Sequence, residues 1–177
     1  YGYSGWSVSS MRKAQTHYRQ LVSKLNKYID TIQIKQCGHE WSNIELNKVT
    51  SCTMIKQRRA FLNINSNRNV GYDVKDRDLN QDRIVCREKM ILHIEKVKQN
   101  QEQYELKGKN IGIHELVKAA LIANTPEEVD IINELWNNNS LQTKPLDNVI
   151  AMIDISSSME ENNSDALYAA IGLGIRV

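Results

Sequence analysis

Over residues 9–32, apolar and aromatic side chains fall at Met11, Ala14, Tyr18, Leu21, Val22, Leu25, Tyr28, Ile29 and Ile32. Three-and-four spacing lines up side chains along one stripe of an α-helix, whereas a strand would need alternation. Arg12, Lys13, Arg19, Lys24 and Lys27 fall between the members of the stripe and form a basic outer face, with His17 a surface residue at its edge. A helix patterned in this way gains its stability by packing its apolar face, so the expectation is one continuous helix with a buried stripe. Only two prolines and eight glycines interrupt the 177 residues, which leaves room for long helices elsewhere.

Further helices follow the same logic. After a connector at 33–38, Trp41, Ile44, Leu46 and Val49 suit short helical or turn-like packing. A helix is expected over 51–63, a polar loop over 64–79, and a long charged helix over 80–103 with Ile84, Ile91, Ile94 and Val97 inward. Gly108 to Gly112 is a break, and 113–123 forms a short helix that turns Leu116, Val117, Ala120 and Leu121 inward. Thr125-Pro126-Glu127-Glu128 is a helix start, with Thr as cap, Pro at the first helical position and Glu three residues after the cap. Val129, Ile132, Leu135 and Trp136 are the inward residues of that helix, which runs out at Asn137-Asn138-Asn139.

One stretch departs from the helical pattern. Residues 148–159 read N-V-I-A-M-I-D-I-S-S-S-M, apolar from Val149 to Ile153 and then an acid among three hydroxyls. A short unbroken apolar run suits a strand buried on both faces, as in a parallel sheet. Ligands of open α/β sheets bind beyond the carboxyl ends of strands, which is where Asp154, Ser156 and Ser158 fall. Alternate residues leaving a strand can point to one side, so D-x-S-x-S gathers three hard oxygen donors suited to part of a Mg²⁺ shell. The same residues also suit a Ser-rich turn in which Asp154 caps local amides. Asp165 to Ile175 follows as a helix entering a core.

Composition narrows the function classes. With 41% hydrophobic and 25% charged residues the chain is globular rather than disordered. No apolar run approaches the roughly 20 residues that span a bilayer, so no membrane is expected among the partners. The first residues include neither an initiator Met nor a signal-peptide pattern, and both ends read as cuts in a longer protein. Cys37, Cys52 and Cys86 are odd in number and widely spaced, which points to free thiols and a cytoplasmic setting. Cys37-Gly38-His39 would be half of a zinc site, but no second pair stands at ligand spacing. Charge is uneven: residues 1–110 hold 20 Lys and Arg against 11 Asp and Glu, and residues 111–177 hold 3 against 10. A basic first part fits either a polyanion such as RNA or a set of solvated helix faces. Arg58-Arg59 adds a phosphate-binding candidate, since guanidinium groups grip phosphate bidentately.

The segment D-I-S-S-S-M, after an apolar run and before a helix, resembles the metal-ion-dependent adhesion site of von Willebrand factor A domains. The resemblance implies that Asp154, Ser156 and Ser158 help hold Mg²⁺, whose open position takes a carboxylate from a protein partner. Ser157 stands where the family commonly has Gly, and the family's further ligands, a Thr and an Asp, come from later loops. The stretch 145–177 would thus be the first strand and helix of a truncated α/β domain, roughly 32 residues and too few for a core of their own. Its metal site would be incomplete.

The order of elements, with Tyr18, Gln36-Cys37-x-x-x-Trp41-x-x-Ile44, Val49-Thr50-Ser51-x-Thr53-Met54, Ala60-Phe61, His114-Glu115-Leu116-Val117, Trp136 and D-I-S-S-S-M, resembles the family known as domain of unknown function 2828, found in plants, fungi and giant viruses such as the mimivirus group. An Asn- and Ile-rich composition fits an A+T-rich genome of that kind, placing the protein in the host cytoplasm or the virion if it is viral. The layout is similar to that of the Ro ribonucleoprotein, or TROVE, architecture. The expected fold is therefore mainly α, a helical module over 1–144 followed by the von Willebrand A-like fragment over 145–177. The expected function is a non-enzymatic interaction or scaffold protein with Mg²⁺-dependent partner binding, and the alternative is an RNA-binding helical module. The four histidines lie on separate elements, and no Ser/His/Asp order, phosphate-cradling Gly loop or zinc signature supports an enzyme.

Overall fold

The computed structural model describes residues 8–64, 79–142, 148–160 and 164–177, and the chain divides into two compact units, residues 1–44 and 45–177. The fold is mainly α, and no strand forms among the described residues. Most of the expected loop at 64–79 and the middle of the linker before residue 148 lie outside those residues.

The first unit contains α1 (Val8–Tyr28), α2 (Ile32–Cys37) and a 3-10 turn at Trp41–Asn43. The helix expected over 9–32 is interrupted: Asp30 adopts a φ of 50°, so Ile32 opens α2 instead of closing α1. Positive φ recurs beyond helix ends at His39, Asn63 and Asn100, polar residues that tolerate the left-handed region better than β-branched ones. The expectation of a buried stripe on α1 is corrected. Met11, Tyr18, Leu21, Leu25 and Tyr28 are all exposed. Periodicity specifies which face is apolar but says nothing about what covers it.

The second unit holds a 3-10 turn at Leu46–Lys48 and then α3 (Ser51–Phe61), α4 (Gln81–Lys98), α5 (Ile113–Leu121), α6 (Pro126–Ser140) and α7 (Asp165–Arg176). Three of these helices start on side-chain caps. Thr50 accepts from the Thr53 N–H at 3.4 Å, Asn80 from the Arg83 N–H at 3.2 Å, and Thr125 from the Glu128 N–H at 3.3 Å. Helix α6 is the hub, packing against α3, α4 and α5, while α7 lies along α5. Met54 and Phe61 of α3, Met90 and Ile94 of α4, Leu116 of α5, and Ile131 and Leu135 of α6 form the buried core, closed by Leu106 and Ile111 from the loop before α5.

That loop is strapped to α6. A Cβ at Gly108 would lie 2.0 Å from the Leu135 carbonyl oxygen, so only glycine fits this approach. The Gly108 N–H donates to Asn138 Oδ1 at 2.8 Å, and Asn139 Nδ2 donates to the carbonyls of Gly108 at 2.8 Å and Ile111 at 3.0 Å. Arg176 at the end of α7 donates to Asn139 Oδ1 and lies over the Trp136 ring, 5.2 Å from its centroid.

The buried faces of three helices differ from the expected ones, on α4 and α6 because polar residues occupy core positions. On α4 the buried residues are Arg83, Cys86, Met90, His93 and Ile94, with Ile84, Ile91 and Val97 only partly covered. On α5 Ala119 is buried where Ala120 and Leu121 were expected, and on α6 Ile131 and Asn139 are buried while Val129 is exposed. The buried thiol of Cys86 is pushed up to about 11 by desolvation, which makes it unreactive.

Glu128 explains why α6 is the hub. Its carboxylate is fully buried and accepts from Arg59 Nε at 2.8 Å and from the Asn124 N–H at 3.1 Å, with Arg58 Nε at 3.3 Å. Burial pushes the carboxyl's pKa up, but the Arg59 hydrogen bond, the Asn124 amide and the two guanidinium charges outweigh it and hold the group below its ordinary value. Burial lowers the Arg58 pKa, against the pull of Glu128. Arg58 also donates to the Ile55 carbonyl at 2.7 Å, and Arg59 to the Ile122 carbonyl at 2.8 Å. The ion cluster therefore ties α3 to both ends of the α5–α6 connection.

His93 is also buried. Its Nε2 lies 3.2 Å from the Glu105 carbonyl, the Tyr104 ring stands edge-on at 5.5 Å, and Lys96 donates to the Tyr104 hydroxyl at 2.8 Å. Desolvation lowers its pKa, the Glu105 carbonyl opposes this, and Lys96 adds to the lowering.

Replacing Glu128 by Ala leaves the Arg58 guanidinium buried without its counter-charge and costs about 3–5 kcal/mol, measured as a lower urea midpoint at unchanged slope. Acid weakens the fold in two steps. His93, with a folded pKa below 6.5, favours folding fully above that value and less as pH falls through it. Glu128, also lowered, withdraws its share only below about 4.5. Urea midpoints between pH 7.5 and 5 should decline in the native protein and flatten in His93→Leu.

Candidate metal centre

Residues 149–156 form no regular element. The expected strand buried on both faces is absent from the described residues, because a strand needs a neighbour to take its amides and carbonyls and no second extended segment lies among them. Ile150 and Met152 are 90% and 97% exposed. Ala151 and Ile153 instead approach α7 at Gly174, where a Cβ would sit 2.1 Å from Ile153 Cδ1. Two residues earlier, a Cβ at Gly172 would meet Ile113 at 2.0 Å, so glycines of α7 admit the apolar segment on one side and α5 on the other. Gly172-x-Gly174 within a helical pattern was the sequence signal for both close approaches.

The three oxygen-bearing side chains are brought together. The Ser156 N–H donates to Asp154 Oδ1 at 2.9 Å, and the Ser156 and Ser158 hydroxyl oxygens lie 3.0 Å apart. The backbone then closes a 3-10 turn at Ser157–Glu160, with the Met159 N–H donating to the Ser156 carbonyl at 2.9 Å. Asp154, Ser156 and Ser158 are all exposed. The backbone amide and then the hydroxyl of Ser156 stabilise the carboxylate and lower the Asp154 pKa, so the group is charged at neutral pH. Asp154 thus makes the side-chain turn that its neighbours in sequence allow, with Ser156 linked both to the carboxylate and to the Ser158 hydroxyl.

The donor set suits a hard cation. All three are oxygens, one is anionic, and solvent can supply the remaining positions that Mg²⁺ keeps as water. Three groups alone make a partial shell.

Other candidates from the sequence resolve differently. Arg58 and Arg59 do not present a free fork to phosphate: both are engaged by Glu128 and by backbone carbonyls. Cys37 and Cys52 are exposed and Cys86 is buried, all as free thiols. Among the described residues no three His, Cys, Asp or Glu side chains gather to hold a metal, so Cys37 and His39 find no further ligands of that kind there. Glu128, expected only at the start of a helix, three residues after its cap, is instead a buried ion partner in the core. Its sequence signal was the capping position, and nothing local announces the partner on a helix nearly seventy residues away, as in the Arg59 bond spanning 69 positions.

The comparisons with known proteins are sparse. No protein-family model matches the chain, and no solved structure does. The chain is similar to an uncharacterised protein of Acanthamoeba polyphaga mimivirus, with 24% identity over 176 residues. The match covers 96% of this chain and 27% of the relative, so the chain spans about a quarter of that protein's length.

Proposed function

We propose that this chain belongs to a non-enzymatic interaction protein in which Asp154, Ser156 and Ser158 contribute to a Mg²⁺ site that engages a protein partner. The observation supporting the reading most directly is the exposed turn in which the Ser156 amide donates to the Asp154 carboxylate at 2.9 Å and the Ser156 and Ser158 hydroxyls stand 3.0 Å apart. Bound there, Mg²⁺ would supply a Lewis-acidic bridge to an oxygen ligand of the partner. Asp154 would provide the negative charge, with Oδ1 oriented by the Ser156 amide, and the paired hydroxyls would add neutral oxygens.

The finer assignment rests on the motif and element order read from the sequence: a helical module over 1–144, a von Willebrand A-like opening over 145–177, and membership of the domain of unknown function 2828 family. The similarity to a mimivirus protein supports a viral-type relative, and on this reading the protein acts in the cytoplasm.

A second reading, an RNA-binding helical module, draws support from the 20 basic against 11 acidic residues of positions 1–110. Phosphate contacts would make such binding fall steeply with salt, in proportion to the number of phosphates neutralised.

Mn²⁺ used as a paramagnetic stand-in for Mg²⁺ should broaden the amide resonances of residues 154–158 first, Mg²⁺ should compete the effect away, and Asp154→Ala should remove it. Broadening that survives Asp154→Ala, or that centres on other acids, rejects the site.

A further inference from the structure

Helix α1 has an apolar face that is exposed among the described residues and a charge that selects its partner. At about 100° per residue, Met11, Ala14, Tyr18, Leu21, Val22 and Leu25 share one arc of α1, while Arg12, Lys13, Arg19, Lys24 and Lys27 share the opposite one. Leu21 and Leu25 are 57% and 53% exposed and Tyr18 is 69% exposed, so the uncovered surface is spread along the helix and is not a single protruding anchor. Helix α1 contains five cations and no acid. Asp30, just past its end, is held by Lys35 of α2 at 2.8 Å and does not offset them.

These features favour one occupant. A second copy of α1 packed stripe to stripe would cover the apolar face but leave the cations of both helices on the outer arcs without a counter-charge, since neither helix contains an acid. RNA would satisfy the charge but offers a solvated phosphate backbone with no counterpart for a long aliphatic stripe. A flat surface that is apolar inside and anionic at its rim satisfies both halves of the helix over its whole length of about 30 Å.

We propose that α1 is a surface-seeking helix that lies in the plane of an anionic membrane, its Met11–Leu25 stripe sunk among acyl chains and its Lys and Arg side chains reaching the headgroups. This mode is distinct from crossing: no described helix is long and apolar enough to span a bilayer. Tyr18 and Tyr28 carry hydroxyls on otherwise apolar rings, which suits residues at the boundary between headgroups and chains. Attraction to phosphatidylserine headgroups by several cations adds to the stripe's burial and makes the binding sensitive to salt. The proposal stands apart from the Mg²⁺ site, which is on another unit of the chain.

The test is co-sedimentation of the full chain with vesicles of phosphatidylcholine alone and with added phosphatidylserine. Binding should be about tenfold or more stronger with phosphatidylserine and weaken with salt. Leu21→Glu with Leu25→Glu should abolish it without loss of helicity in circular dichroism, since both side chains are exposed. Lys13→Glu with Lys24→Glu and Lys27→Glu should abolish the preference for phosphatidylserine. Equal binding by the leucine variant, or no vesicle binding by the native chain, overturns the proposal. So does a native dimer that the leucine variant converts to a monomer while vesicles stay unbound, which would assign the stripe to helix pairing. RNA binding lost with the lysine variant but kept by the leucine variant, with vesicles unbound, would assign the cations to RNA.

Discussion

A carboxylate sealed from water in the first turn of α6 organises the larger unit. Burying Glu128 carries a desolvation cost of several kcal/mol unless opposite charge and hydrogen bonds offset it, and here Arg59, Arg58 and the Asn124 amide do so together. Because those groups come from α3 and from the turn that enters α6, the pairing fixes two helices and a connection at once. A carboxylate at a helix N-terminus also faces the positive end of the macrodipole, so the first turn of α6 is a place where a buried anion is least penalised. The apolar core of Met54, Phe61, Ile131 and Leu135 then closes around a polar contact that admits few alternative helix registers.

How much of this could be read from the sequence depends on the distance over which each feature acts. The helix start at Thr125 was legible because a cap and the amide it satisfies are only three residues apart, and Thr50 and Asn80 use the same short-range contact. The faces of α4 and α6 were much less legible. Arg83, His93, Glu128 and Asn139 sit where a hydrophobic pattern would place Leu or Ile, and each is tolerated only because a partner distant in sequence satisfies it. Gly108 is similar: the turn signal was visible, whereas its closeness to the Leu135 carbonyl belongs to the tertiary structure.

The two apolar segments that the sequence marked most strongly, α1 and 149–153, are the ones whose surroundings it misread. Both were assigned burial from pattern alone. In α1 the helix forms anyway, since its backbone hydrogen bonds are internal to the segment and need no cover. In 149–153 the backbone has no such recourse, and without a neighbouring ladder it remains irregular, leaning on Gly174 through Ile153. Identical reasoning about hydrophobicity thus succeeds for the local element and fails for the one whose hydrogen bonds must come from elsewhere.

The same distinction explains why the turn at Asp154, Ser156 and Ser158 forms without the expected strand. The contacts that gather Asp154, Ser156 and Ser158 join residues two apart and require no sheet. What the tertiary structure adds is direction. Helix α7, which follows the turn, is held against α5 at Gly172 and joined to α6 through Arg176 and Asn139, and α6 is in turn fixed to α3 by Glu128. The turn packs on α7, so the buried ion cluster, through a chain of contacts, fixes where the turn's oxygens stand while local chemistry fixes how they face one another. Any ligand that depends on the direction of approach, as a bridge to a second protein does, draws on both.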